Sequence, residues 1–415
     1  MTEPATPTPT AQEVAGERRL RQLVGAFDLL VSLGIAGAAL YIWFAWPKGG
    51  DIYSELQRGA SELYLLVWMG IALAGALATL RRKTRIVSYM LTFLVLLECL
   101  AQLYYIKVNH RPYHPYARVI LDRFEPNPRL GAIPRPSAFG GISHDAMHRR
   151  TTINEGKAAN AKPVYIFGGS SAYDVGVADA DTWASDLSRL LGADYEVQNY
   201  GVLSYTSLEA MIQSLFVFRD IQPVCAVYYE GWNDLGLAHV DNLPDDYGSM
   251  HATGELHALG VYYRPGNLAN NWLALQLVDR AIQQGPGYPP AKGSVSDDRD
   301  LRLSRIYAEN MRLIADIDRH FAVRPIFVPQ IVNYEFIEAH YGWWWPMSAK
   351  AVRPRLAELN AVLKQSAQET GALFIDAPLN VTWQAGDFVD EGHFSAAGAR
   401  KFAEAIAPGV AAACK

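Results

Sequence analysis

Between residue 163 and the C-terminus, five short strand-like runs at 164–167, 195–199, 224–229, 325–328 and 373–375 alternate with longer amphipathic stretches. Runs of three to six residues are too short for helices, and several of these are almost wholly apolar. A strand without a polar face needs cover on both sides, which is the signature of a parallel sheet inside helical layers. The stretches at 182–191, 207–219, 301–321, 349–370 and 396–406 have the helical period that supplies that cover. The alternation predicts an α/β fold: a flavodoxin-like three-layer α/β/α domain around a parallel sheet. In such a sheet ligands bind beyond the carboxyl ends of the strands, so residues just after each run carry the chemistry.

The chain before this region is of another kind. Residues 1–22 form a tail rich in Thr, Pro, Ala and Glu that reads as disordered and cytoplasmic. Apolar runs follow at 23–46, 63–80 and 86–108, each close to the roughly 20 residues a helix needs to cross a bilayer. A three-helix transmembrane region at 23–108 is predicted. Arg18, Arg19 and Arg21 precede the first run, and Arg81, Arg82, Lys83 and Arg85 separate the second from the third. Only Lys48 and Arg58 lie between the first two. Seven basic residues against two place the N-terminus in the cytoplasm and the rest of the chain outside it, in the periplasm of a diderm cell. Glu98 falls near the middle of the third run and Asp28 near the cytoplasmic end of the first. The segment 109–162, rich in Pro, Arg and His, reads as an irregular connector. His110 and His114 stand there as loop residues, because Pro112 and Pro115 oppose a helix.

A net charge of −5 with mixed signs leaves no basic stripe for nucleic acid. Three scattered cysteines, Cys99, Cys225 and Cys414, suggest neither a disulfide framework nor a metal cluster, and no cofactor is called for.

Four blocks carry the chemistry. Gly168-Gly169-Ser170-Ser171 follows the first strand, and its glycines permit a tight turn with close approach of substrate. Asn199-Tyr200-Gly201 and Gly231-Trp232-Asn233-Asp234 follow the second and third strands. Asp390-Glu391-Gly392-His393 stands before the last helix. A serine hydroxyl needs a base to take its proton, and the His393 imidazole titrates in the right range. A carboxylate at Asp390, three residues upstream, can hold one ring nitrogen and so fix the tautomer that offers the other to serine. Glu391 is an alternative partner, and Ser171 an alternative nucleophile.

In order and placement these blocks resemble the SGNH, or GDSL-like, serine hydrolase superfamily, over 163–415. The resemblance implies Ser170 as nucleophile, His393 as base, Asp390 as its orienting partner, and an oxyanion hole that includes the Gly201 N–H and the Asn233 side-chain amide. Gly169 departs from the family's usual Asp beside the nucleophile. Two additions stand out: an insertion at 235–300 with a helix expected at 268–282, and Trp343-Trp344-Trp345, a candidate substrate-binding cluster after the fourth strand. The resemblance implies an esterase acting on acyl, notably acetyl, esters of glycans or lipids. With the predicted spans it implies a bilayer-anchored, extracytoplasmic enzyme working on cell-envelope material, with envelope polysaccharide assembly proteins as partners. An O-acyltransferase with the same residues, or a non-catalytic glycan-binding subunit, is the alternative.

Overall fold

A computed structural model describes residues 85–109, 124–247 except 128 and 140, and 295–415 except 345, with isolated positions before 85. The chain forms two compact units. In the tail, the described positions Gln12, Ala15, Gly16 and Arg19 are helical, and the rest of 1–22 lies outside the described residues. The stretch after residue 10 is rich in Ala, Glu, Arg, Leu and Gln, all good helix formers.

One unit contains helix α1 (Arg85–Asn109), which covers the third predicted span. Met90, Phe93, Leu96, Leu100, Leu103 and Tyr104 are exposed on it, while Glu98 and Gln102 are buried and hydrogen-bonded to each other at 3.2 Å. Polar groups inward and apolar groups outward is the reverse of a helix packed on a soluble core. Among the described residues no helix is long and apolar enough to cross a membrane. The predicted spans 23–46 and 63–80 lie outside the described residues, as do His110 and His114.

The other unit opens with two antiparallel ribbons, β1 (Phe124–Asn127) with β2 (Gly131–Pro134) and β3 (Ser137–Phe139) with β4 (Ile142–His144). The connector is therefore more regular than its composition suggests. In the first ribbon, Asn127 Oδ1 accepts the N–H groups of Arg129 and Leu130 and closes the turn. Arg150 then pairs through its backbone with Asn199, docking this segment beside the main sheet.

From there the order is β5 (Lys162–Gly168), α2 (Ser170–Tyr173), α3 (Trp183–Leu191), β6 (Tyr195–Asn199), α4 (Ser207–Asp220), β7 (Cys225–Tyr229) and α5 (Trp232–Leu235). After the insertion come α6 (Leu301–His320), β8 (Arg324–Val328), α7 (Tyr334–His340), the short pair β9 (Trp343–Trp344) and β10 (Met347–Ser348), α8 (Ala349–Thr370), β11 (Leu373–Phe374) and α9 (Ala396–Ala413). The five predicted strands are all present, in a wholly parallel sheet of order β11-β8-β7-β5-β6. The chain starts at β5, steps out to β6, crosses back to β7 and continues outward. The direction of winding thus reverses between β5 and β7, where such sheets open a crevice.

Strand alternation sorts the core into two layers. Tyr165, Phe167, Ala226 and Tyr228 pack with Leu208 and Phe218 of α4, Ile306 and Met311 of α6, and Val352 and Leu356 of α8. Val164, Ile166, Val227 and Tyr229 pack on the other face with Trp183 and Leu187 of α3 and Phe402 and Ile406 of α9. Nearly every one of these side chains is fully buried, each contributing about 1.5–3 kcal/mol. Helix α9 runs seven residues beyond its predicted end at 406, through Pro408, and carries Val410 into the same core. Its C-cap, Cys414, forms a disulfide with Cys225 of β7, across a sequence separation of 189. Two of the three cysteines that read as scattered are thus paired. The insertion is described only at 235–247 and 295–300, so its expected helix lies outside the described residues.

Candidate active site

Three sheet ends converge. β5 runs straight into Ser170, and the turn between them needs glycine. Gly168 sits at φ +153, and a Cβ there would lie 2.5 Å from the Tyr229 carbonyl oxygen. Ser170 thereby opens α2, where first-turn N–H groups lack intrahelical acceptors. From the far end of the domain, the loop before α9 brings His393 back to it, 223 residues away in sequence, with His393 Nε2 2.7 Å from Ser170 Oγ. His393 Nδ1 lies 2.8 and 2.7 Å from the two Asp390 carboxylate oxygens. That carboxylate also accepts the backbone N–H groups of Gly392 and His393, each at 2.9 Å. Asp390 is thus fixed by its own loop. The loop is closed in turn by Val389 N–H donating to the His393 carbonyl and by the pairing of Phe388 with Phe394.

The electrostatics follow from this geometry. Burial alone would lower the His393 pKa, but the Asp390 charge and its hydrogen bond outweigh it, so the imidazolium is stabilised above its ordinary range. Burial would raise Asp390, and the His393 charge and the donated N–H groups hold it below the usual carboxylate value. The pair is poised to accept a proton at Nε2 and to carry it while Asp390 stays ionised.

Asn233 follows β7 on α5, and its Nδ2 donates one hydrogen to the Tyr205 carbonyl at 2.7 Å, leaving its second hydrogen for another acceptor. The amide rests directly against Gly169: a Cβ on residue 169 would sit 2.5 Å from Asn233 Nδ2 and 2.9 Å from the Tyr205 oxygen. Gly201 follows β6, and its N–H donates to Asn199 Oδ1 at 2.8 Å. Asn199 in turn donates from Nδ2 to the Ala172 carbonyl of α2 at 2.8 Å, so it ties the second block to the nucleophile's helix. Ser171 does not face His393. Its hydroxyl donates to the Gly392 carbonyl at 2.7 Å and braces α2 against the Asp390–His393 loop. The imidazole is held by Asp390 and not by Glu391, whose Oε2 accepts from Tyr341 at 3.3 Å. The Trp343 and Trp344 backbones form β9, paired with β10, and Trp345 lies outside the described residues.

Several supporting residues escaped sequence reasoning. Asp174, in the left-handed region at φ +64, ends α2, and its Oδ2 accepts the Trp183 N–H at 2.7 Å. Trp183 Nε1 donates back to the Ser171 carbonyl at 3.0 Å. Burial pushes the Asp174 carboxyl up to about 7, against the opposing pull of that N–H and of the Arg150 and His393 charges. Beneath α2, the fully buried Arg150 lies 4.8 Å from the Tyr173 ring centre and donates to the Val177 carbonyl, while His144 Nε2 is 2.7 Å from the Tyr173 hydroxyl. Among the described residues, no group of three or more His, Cys, Asp or Glu side chains is placed to hold a metal ion.

No family model matches the chain, and no curated protein matches it. Similar solved chains do exist. TesA is 16% identical over 61% of this chain and 99% of its own, with a TM-score of 0.37. A putative lipolytic protein of the G-D-S-L family from Desulfitobacterium hafniense DCB-2 is 12% identical over 60% and 98%, with a TM-score of 0.35. A catalytic mutant of Axe2, an acetylxylan esterase from Geobacillus stearothermophilus, is 14% identical over 61% and 94%, also with a TM-score of 0.35. Likenesses this distant leave the chemistry to be argued from the site's own geometry.

Proposed function

We propose that the protein is a serine esterase that cleaves acyl esters, notably acetyl esters, through Ser170, His393 and Asp390. The observation that carries this is the unbroken hydrogen-bonded line from Ser170 Oγ through the imidazole to a carboxylate. Ser170 Oγ attacks the ester carbonyl carbon while its proton passes to His393 Nε2. The carbonyl oxygen becomes an oxyanion, received by the Ser170 N–H and the second Asn233 hydrogen, with the Gly201 N–H shared from Asn199. Such preorganised donors are worth roughly 3 kcal/mol of barrier each. Collapse breaks the bond to the alcohol, which leaves with the proton from Nε2. Water, deprotonated by His393, then attacks the acyl-serine and releases the acid. Transfer to another hydroxyl uses the same steps with that hydroxyl in place of water. A non-catalytic binding role would leave the aligned imidazole and carboxylate without a purpose.

The proposed setting is a membrane, with the catalytic unit outside the cytoplasm. The apolar exposed face of α1 around a buried Glu98 and Gln102, and the excess of basic residues on one side of the predicted spans, support anchorage. The Cys225–Cys414 disulfide suits an oxidising compartment. Acylated envelope glycan or lipid is the proposed substrate, Trp343–Trp345 a proposed contact for it, and envelope polysaccharide assembly proteins the proposed partners.

The test is fluorophosphonate labelling and p-nitrophenyl acetate hydrolysis by the full chain, against Ser170→Ala. Labelling and turnover that vanish in the variant are expected; wild-type protein inert to both probes rejects the esterase reading. Acetyl release measured beside acetyl transfer to a glycan acceptor separates hydrolase from transferase.

A further inference from the structure

A cavity of about 330 Å³ opens at the carboxyl ends of β8 and β11, outside the Ser170–His393–Asp390 line. Its walls are the run 330–335 after β8 and the run 378–388, which leads into the Asp390–His393 loop, with Arg353 reaching in from α8. It is coupled to that loop at two points. Asn333 N–H donates to the Glu391 carbonyl at 2.8 Å, and Phe388 pairs with Phe394, the residue after His393. Two to three strand positions separate β5 from these ends, so at roughly 4.8 Å per strand the cavity lies ~10–14 Å along the edge from Ser170.

The lining sets the ligand class. Phe388 is buried, and Trp383 is held by its N–H to the Pro378 carbonyl at 3.0 Å and by stacking on Phe394, which makes a rigid apolar wall. Against it stand Glu335 and Arg353. The guanidinium carbon of Arg353 sits 4.0 Å above the Tyr334 ring centre, so its face is used while its N–H edge has no acceptor among the described residues. Glu335 has neither an ion pair nor a side-chain hydrogen bond among the described residues, and it lines the same small space without pairing to Arg353. Burial pushes the Tyr334 hydroxyl up to about 12, against the Arg353 charge, so at neutral pH it remains a donor. An acyl chain seated here would strip water from a carboxylate and a guanidinium and return no hydrogen bonds. A phosphate would meet the Glu335 charge. A sugar ring offers vicinal hydroxyls that donate to Glu335 and accept from Arg353, and a C–H face for the apolar wall. The volume is at the lower end of small-molecule sites, roughly 300–1,000 Å³, which suits one or two sugar units.

Resting on the esterase reading above, we infer that this cavity is a subsite for a pyranose unit of the glycan whose ester reaches Ser170, a neighbour of the esterified unit. The full-length protein is assayed with p-nitrophenyl acetate and with acetylated xylotetraose and acetylated chitotetraose, using Arg353→Ala and Glu335→Gln. Both side chains are exposed, and a melting curve checks folding. The expected result is a tenfold or greater rise in KM for at least one acetylated oligosaccharide, with kcat within twofold, and no more than a twofold change in either constant on p-nitrophenyl acetate. Unchanged constants on every substrate, or equal losses on the small ester and the oligosaccharides, overturn the subsite. Calorimetric titration of Ser170→Ala with unacetylated xylotetraose and chitotetraose reads the cavity without catalysis, and binding that weakens tenfold on adding Arg353→Ala supports it. Wild-type turnover of p-nitrophenyl acetate with no binding of either oligosaccharide overturns the subsite and leaves the esterase standing. Oligosaccharide binding by a chain inert to every ester does the reverse.

Discussion

Replacing Gly169 by Asp, the residue usual at that position in the family this chain resembles, is expected to abolish the proposed esterase activity. The Cβ alone would stand 2.5 Å from Asn233 Nδ2 and 2.9 Å from the Tyr205 carbonyl oxygen, where ordinary contact begins near 3.4 Å. Neither neighbour is a loose side-chain end: the amide is tied to Tyr205 O at 2.7 Å, and that oxygen is backbone. Relief requires the amide to retreat by nearly 1 Å, more than a hydrogen bond to an oxyanion tolerates. Losing one such donor costs about 10²–10³ in kcat. The aspartate adds a negative charge beside the developing oxyanion, worth up to about 4 kcal/mol at 4 Å and an effective dielectric of 20. Gly169→Ala, with the contact but not the charge, is expected to lose about 10–100-fold in kcat with KM within threefold. The assay is p-nitrophenyl acetate hydrolysis by Gly169→Ala, Asn233→Ala and the double variant, with melting curves alongside. Because the loss acts through the amide, Gly169→Ala should cost little once Asn233 is already alanine. Full activity in Gly169→Ala, or an undiminished loss in the Asn233→Ala background, refutes it.

Three further outcomes follow from the same contacts. With the His393 pKa raised above 6.5, kcat/KM requires its neutral form, so the acidic limb of the pH profile should have its midpoint above 6.5; Asp390→Asn should lower that midpoint and cut kcat by roughly 10²–10⁴, and an unmoved midpoint contradicts the coupling. Asp174, raised from 3.8 in the unfolded chain to about 7, makes the folded state bind the extra proton between those values, so its contribution to stability is full below pH 4 and lost as pH rises through 7; Asp174→Asn removes this dependence, and its stability relative to wild type, followed by urea titration, should climb across that window by at most about 4 kcal/mol. Reducing the Cys225–Cys414 bond releases a closure of 189 residues, worth at most about 5 kcal/mol in loop entropy, so dithiothreitol should lower Tm by up to ~10–20 °C; an unchanged melt would mean that the clip adds nothing.

The sheet was legible because its central strands repeat one physical demand, burial on both faces, and that demand is written locally in 164–167 and 224–229, while the edge strands β6 and β11 are only partly buried. Ser170, Gly201 and Asn233 could be singled out because a parallel sheet collects ligand-binding groups beyond its strand ends, where those three blocks sit, whereas His393 stands in the loop before α9 and was marked only by its spacing from Asp390 and its place before the last helix. The support around them was not, since its partners are backbone atoms, and these leave no mark on residue type. Ser171 is bound to the Gly392 carbonyl, Asn199 to the Ala172 carbonyl and Asn233 to the Tyr205 carbonyl. The same reason hid Gly169, whose value is the room it leaves for a neighbour 64 residues away. Cys225 and Cys414 read as scattered until the sheet and the last helix set them 5.4 Å apart at Cα. In this chain the room that a side chain at 169 would need is taken by the Asn233 amide and the Tyr205 carbonyl, so the bare glycine and the tied amide form one packing arrangement.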